Sequence, residues 1–320
     1  MIIKNCWKYT ILVSLAVITT VLLSGCGRPR PETFPDTEII YQTSDYNTAS
    51  LGFVNADGSN NSVLTLDFHS ARPTWSEDGK IIYYIDVPGN FLFDRGGYVS
   101  YWEEGKPLST CRKSSWWGIT MVLPANQEDS DQAIVVKSNA ALLRVDLNSC
   151  REQERILERE SPTSFLHSAS LSKDGSFLAF SEVSDRGSTY SVIVKNMKTE
   201  LEVEFGEGIN PAISPDGRWV AYTGFDGIYI ASINGTQIQR IVPYDASGSL
   251  GSSFEVAPPA PSWSPDSMWL VFHQCVENHP DNCHHADEFQ IFKVEVKTSA
   301  ITKIVEGGTY PYWREKEATP

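Results

Sequence analysis

The chain has 320 residues, and its 26 Lys and Arg stand against 40 Asp and Glu for a net charge of −14. A domain this acidic is repelled by phosphate backbones, which excludes nucleic acid as an expected partner. Acidic surface also keeps exported proteins soluble, and that is the simpler reading of the excess charge.

In chain order, the first feature is a leader. Lys4 and Lys8 flank a short basic region, and Ile11 to Leu23 is an uninterrupted run of apolar, Ser and Thr residues. Thirteen residues are short for a membrane span, which needs about 20, but suit the apolar core of a signal peptide. Leu23-Ser24-Gly25-Cys26 follows, and it resembles a bacterial lipobox, in which the Cys thiol is acylated before cleavage ahead of it. The sequence therefore predicts a signal peptide over 1–25 and a lipid, palmitate among its acyl groups, on Cys26. The mature chain would be anchored to a bacterial cell membrane, facing the periplasm or the exterior. Losing the leader, with two lysines and no acids, shifts the net charge from −14 to −16. Residues 26–37 include "GRPRPETFPD", whose prolines predict an extended tether of roughly 30 Å. Gly27 follows the Cys where an Asp would resemble an inner-membrane retention signal, which favours an outer membrane where the host has two.

A phrase then recurs four times. "RPTWSEDGKIIYYID" begins at Arg72, "SASLSKDGSFLAFSE" at Ser168, "INPAISPDGRWVAYTG" at Ile209 and "PAPSWSPDSMWLVFH" at Pro259. Aligned on Ser76, Ser172, Ser214 and Ser264, the copies lie 96, 42 and 50 residues apart. The gap of 96 holds two steps, so a degenerate unit is expected near residue 124. "YPYW", ending at Trp313, repeats "APSW", ending at Trp263, with no hairpin after it.

Each phrase reads as a tight turn between strands. In Pro215-Asp216-Gly217, Pro fixes φ at the first corner, Asp bonds to nearby backbone, and Gly takes the left-handed conformation. Ser267 replaces that Gly in the last copy, at a local cost of about 1 kcal/mol. The strand after each turn is apolar throughout, which implies cover on both faces. A third strand follows in each unit, as in "GIYIAS", and then a shorter, more polar fourth. Four antiparallel strands in a unit of about 40 to 50 residues describe a propeller blade. The region from Ile39 to Leu66 supplies three strands and lacks an opening one, which the orphan strand around Trp313 can provide. The predicted fold is all-β: a six-bladed β-propeller of four-stranded antiparallel blades over 38–314, closed by a C-terminal strand that completes the first blade, with 315–320 as a tail.

These phrases resemble the repeats of TolB-like propellers, whose blades carry a P-x-W-S-P-D-G signature, and the resemblance covers most of residues 39–313. They are not WD repeats, since no Gly-His or Trp-Asp pair recurs in register. TolB itself has an α/β domain ahead of its propeller, where this chain has a short tether, so a role in the Tol–Pal envelope machinery is not carried over.

Within a blade, the first-to-second and third-to-fourth turns share one face of the disc, and here they are tight. The other connections share the opposite face and include long ones at 86–97, 244–261 and 273–289. Insertions gathered on one rim mark it as the expected binding face. The connections leading into the innermost strands carry His69, Arg72, His167 and Asn210, which are expected at the mouth of the central channel as ligand- or partner-binding residues.

Cys275 and Cys283 bracket one loop and are the expected disulfide, permitted by export. His279, His284 and His285 share that loop but meet no standard zinc spacing, so no metal is expected. Cys111 and Cys150 form a weaker pair, because the strand assignment points them toward opposite faces, and their state is left open. No nucleophile elbow, His-Glu-x-x-His or phosphate-cradling glycine loop occurs, and no cofactor is implied. Prolyl-peptidase-type enzymes carry such propellers but add a hydrolase domain. The leading expectation is a non-catalytic, lipid-anchored binding module outside the cytoplasm, engaging a protein, peptide or envelope polymer. The alternative is an enzyme in the propeller channel, a lyase or hydrolase using His69 or His167.

Overall fold

The computed structural model describes residues 33–43, 50–65, 69–87, 98–106, 109–111, 118–125, 131–138, 141–159, 165–183, 189–244, 259–275, 283 and 286–315. The signal peptide, Cys26, the long connections at 88–97, 245–258 and 276–282, and His279, His284 and His285 lie outside them.

The first blade contains β1 (Ile39–Gln42), β2 (Ser50–Val54) and β3 (Ser62–Thr65). The second is β4 (His69–Trp75), β5 (Ile81–Val87), β6 (Tyr98–Glu103) and β7 (Ser109–Cys111). In the third, β8 (Ile119–Pro124), β9 (Gln132–Lys137), β10 (Ala141–Asp146) and β11 (Arg151–Glu158) form the degenerate unit. The fourth holds β12 (Phe165–Leu171), β13 (Phe177–Val183), β14 (Tyr190–Asn196) and β15 (Glu202–Glu207). The fifth holds β16 (Ile209–Ile213), β17 (Trp219–Gly224), β18 (Gly227–Ser232) and β19 (Ile238–Pro243). The sixth has β20 (Ser262–Trp263), β21 (Trp269–Cys275), β22 (Phe289–Glu295) and β23 (Ile301–Glu306). The last strand, β24 (Thr309–Trp313), joins the first blade, whose order is β24-β1-β2-β3. Ile39 faces Trp313 and Ile40 faces Tyr312 across that seam. The molecule is a six-bladed β-propeller of four-stranded antiparallel blades, closed by strands from both ends of the chain.

Burial follows strand position. β17 is buried along all but its first residue, whereas β15 and most of β11 face solvent. Six apolar clusters fill the six gaps between neighbouring blades. The gap between the first and second blades also receives Phe34 from the Pro-rich segment, whose ring meets Trp75 edge-on at 5.3 Å and Trp102 at 4.6 Å. Arg314 also lies over the Trp75 ring, 4.5 Å from its centre, and donates to the Gly79 carbonyl at 3.0 Å. Both chain ends are thus fastened to one indole.

The repeated turn has one geometry. Each Ser hydroxyl donates to the Asp two residues on, at 2.6 Å for Ser214–Asp216 and 2.7 Å for Ser172–Asp174. The same oxygen accepts the amide N–H five residues on, from Trp219 at 3.0 Å and Phe177 at 2.9 Å. Gly79, Gly175 and Gly217 take φ of 67°, 68° and 69°, and Ser267 takes 60° in the equivalent place. Hydrogen bonds from Ser176 and then Ser172 draw the pKa of Asp174 down to about 2.

Two disulfides are present, Cys275–Cys283 and Cys111–Cys150. The second joins a pair whose state the sequence left open: the Cα atoms are 5.3 Å apart. Strand direction along a flat blade would part these residues, but strands rotate by roughly 20–25° each across a sheet. By the outermost strand, β7, the chain runs well across the disc axis, and Cys111 meets the β10–β11 turn of the next blade. Its Sγ is 3.3 Å from the Leu147 carbonyl oxygen in that turn.

Candidate functional site at the channel mouth

The innermost strands all run from the long-connection face to the tight-turn face, and their alternate residues point into the central channel. Four residues before each aligned Ser, and at the equivalent places of β8 and β24, stand Arg72, Met121, Ser168, Asn210, Ala260 and Tyr310. All six line a cavity of about 150 Å³. Two residues further on, Thr74, Leu123, Ser170, Ala212, Ser262 and Tyr312 line the next level. At the far end Lys173 pairs with Glu315 at 2.7 Å.

The first ring is built on strained backbone. Arg72, Asn210 and Tyr310 take φ of 52°, 54° and 48°, although each precedes a proline, which ordinarily demands an extended residue. Each sits in a register shift of its inner strand. The left-handed turn swings the N–H out of its own sheet, and a side chain of the preceding blade accepts it. Arg72 donates to Gln42 Oε1 at 3.1 Å, Asn210 to Ser168 Oγ at 3.0 Å, and Tyr310 to His273 Nδ1 at 3.2 Å. Asn210 Nδ2 and Thr223 Oγ1 both donate to the Pro259 carbonyl, at 3.0 and 2.7 Å. Strain persists only where surroundings over-determine it, and here the neighbouring blade supplies the restraint.

Arg72 reaches from the second blade to the fourth. Its Nη2 lies 2.9 Å from His167 Nε2, its Nη1 lies 3.4 Å from the His167 carbonyl oxygen, and its guanidinium stacks 4.8 Å from the Tyr310 ring centre. A guanidinium only donates, so His167 must accept at Nε2 and carry its proton on Nδ1, 3.4 Å from Ser168 Oγ. Burial, and then the adjacent Arg72 charge, hold the His167 pKa well below its ordinary value. The ring of Tyr190 packs edge-on against it at 5.4 Å. The Arg72 charge is not neutralised: no carboxylate pairs with it among the described residues, whereas Arg144, Arg155, Arg159, Arg218 and Arg240 each have an acidic partner.

Of the residues expected at the mouth, Arg72, His167 and Asn210 lie at the starts of the inner strands, and the first two touch. His69 opens β4, its backbone paired with Val87, and its side chain lies outside the described residues. Tyr310, Ser168, His273 and Gln42 were not expected there. The first two carry a signal in the repeat itself, since they share the register of Arg72 and Asn210.

A propeller with one deep, polar-rimmed channel is the class that this fold and mouth define. Among solved structures the chain is similar to TolB from Acinetobacter baumannii, with a TM-score of 0.62 and 16% identity over 86% of this chain and 66% of that one. It is similar as well to the putative TolB from Agrobacterium tumefaciens, with a TM-score of 0.57 and 13% identity over 85% and 91% of the two chains. A chain of a nidogen–laminin complex matches with a TM-score of 0.61 and 5% identity, over 87% of this chain and 99% of that one. No protein-family model matches the sequence, and no curated protein does. The shared fold is thus a TolB-like six-bladed propeller.

Proposed function

We propose that the chain is a lipid-anchored binding module of the bacterial cell envelope that takes a protein, peptide or envelope polymer at the mouth of its channel. The observation that carries this reading is the ring at the first level. Its six equivalent positions hold six different side chains, three of them on strained backbone, around one cation without an acidic partner. Stability alone gives no reason for that arrangement. The proposed anchor is Cys26, with residues up to 37 leading into the propeller at 38–314.

A channel enzyme has less support. His167 has its Nε2 occupied by Arg72, its pKa is depressed, and no carboxylate orients it among the described residues, all of which argue against a general base. The test is capture of a partner from solubilised membranes by the full-length lipoprotein, compared with a 244–261 deletion and with Arg72→Gln. The reading predicts loss of capture in at least one variant that stays folded. Equal capture by all three forms would refute it.

A further inference from the structure

We infer that the channel mouth receives the C-terminal carboxylate of a peptide, with Arg72 as its anchor; this deepens the binding-module reading and rests on it. A guanidinium carries five N–H donors, and the described residues engage two of them, both through His167. The rest are held in place, because the Tyr310 ring fixes the guanidinium plane and His167 fixes its azimuth. A planar, pre-oriented fork of this kind matches a carboxylate in two-point contact, at little further loss of side-chain freedom.

The surroundings favour an anion over a neutral ligand. The other residues of the ring are Met121, Ser168, Asn210, Ala260 and Tyr310, none of them acidic, and the acids lining the channel, Glu77 and Glu315, belong to its opposite end. In a chain of net charge −14, this level of the channel thus holds one cation and no acid among the described residues. His167 cannot supply the counter-charge, since it is neutral when it accepts from Arg72.

The rim favours a peptide over an acidic sugar. Phe165, at the start of β12, and Phe225, in the β17–β18 turn, are both about half exposed on the face that carries the mouth. Exposed apolar rings on the face that presents the cation suit a peptide's apolar side chains beside its terminal carboxylate. A sugar acid would bring several hydroxyls that need polar partners.

The test titrates the detergent-solubilised full-length protein by calorimetry at matched ionic strength. The probes are acetyl-Ala-Phe, its C-terminal amide, glucuronate and inorganic phosphate. The free acid should bind at least about tenfold more tightly than the amide, and Arg72→Gln should erase that preference. Arg72→Lys should retain part of it, and Arg218→Gln, on the opposite face, should retain all of it. Equal binding of acid and amide by the wild type overturns the inference without relying on any variant. Preference surviving in Arg72→Gln, or tighter binding of glucuronate or phosphate, overturns it as well. Partner capture run in parallel separates the two readings. Capture without a carboxylate preference sinks this inference alone, and a carboxylate preference with no captured partner sinks the module reading.

Discussion

The two ends of the inner strands use the same repeat in opposite ways. At the tight-turn end, Ser76, Ser172, Ser214 and Ser264 all donate to an Asp two residues on and accept an amide N–H five residues on. Four residues earlier in those strands, the channel positions are Arg72, Ser168, Asn210 and Ala260, which share no chemistry. A turn that closes a hairpin must solve one local problem in every blade. A channel mouth meets something outside the protein, and identical side chains around it would serve a ligand only if that ligand shared the symmetry. Uniform positions therefore report on the scaffold, and divergent ones in the same register report on the site.

The largest expected effect breaks the scaffold end. Trp75 is buried and packs against both Phe34 and Arg314, so Trp75→Ala should cost about 3–5 kcal/mol in denaturant unfolding. It should also release both chain ends, seen as faster proteolysis near residue 34. A loss under about 1 kcal/mol would mean that the termini do not brace the ring.

The disulfides offer one bond from each end. Cys275, at the end of β21, is on the long-connection side, and its bond to Cys283 spans 8 residues of sequence. Cys150 lies in the β10–β11 turn at the other side, and its bond to Cys111 spans 39. On chain entropy alone, Cys111→Ala with Cys150→Ala should cost about 4 kcal/mol, and the Cys275 and Cys283 pair about 2.5. Separate thermal unfolding of the two double variants gives the order, and a reversed order would show that loop length does not govern here.

Smaller still is the contrast between the two ends of the inner strands. Ser214→Ala removes a buried hydroxyl that bonds to both Asp216 and the Trp219 amide, and should cost about 1–3 kcal/mol. Arg72→Gln, four residues before Ser76, should cost no more than about 1 kcal/mol, the net worth of the hydrogen bonds it loses, while altering binding. Comparable losses in both would mean that the mouth is structural.

Much of the scaffold could be read from the sequence because its determinants are local. Pro215-Asp216-Gly217 specifies a turn within three residues, and spacing between copies then yields blade number, including the unit around residue 124 and the closing strand at Trp313. The Cys111–Cys150 bond was not legible, because it depends on accumulated twist across a blade and on contact between blades. The mouth was legible in part. Polar residues on the connections into the inner strands placed Arg72, His167 and Asn210 at the strand starts but passed over Tyr310, which stacks on a cation from another blade. Reading the register three residues before Trp313, aligned with Trp75 and Trp263, would have found it.

The smallest expected effect is a pH dependence that belongs to the mouth alone. His167 faces Arg72 from the second blade, Ser168 on its own strand and Tyr190 on β14. Its pKa is lower in the folded protein than in the unfolded chain, where it is about 6.5. Between those two values the unfolded state binds the extra proton, so stability rises with pH through that window. The contribution is complete above pH 6.5 and is lost as pH falls below it toward the folded value. In His167→Gln the slope of unfolding free energy between pH 6.5 and 5 should flatten by up to one proton, whereas Ser214→Ala should keep the wild-type slope while lying below it throughout. Parallel curves for His167→Gln and wild type would mean that the imidazole does not remain neutral beside Arg72, and that the proton on Nδ1 is misplaced.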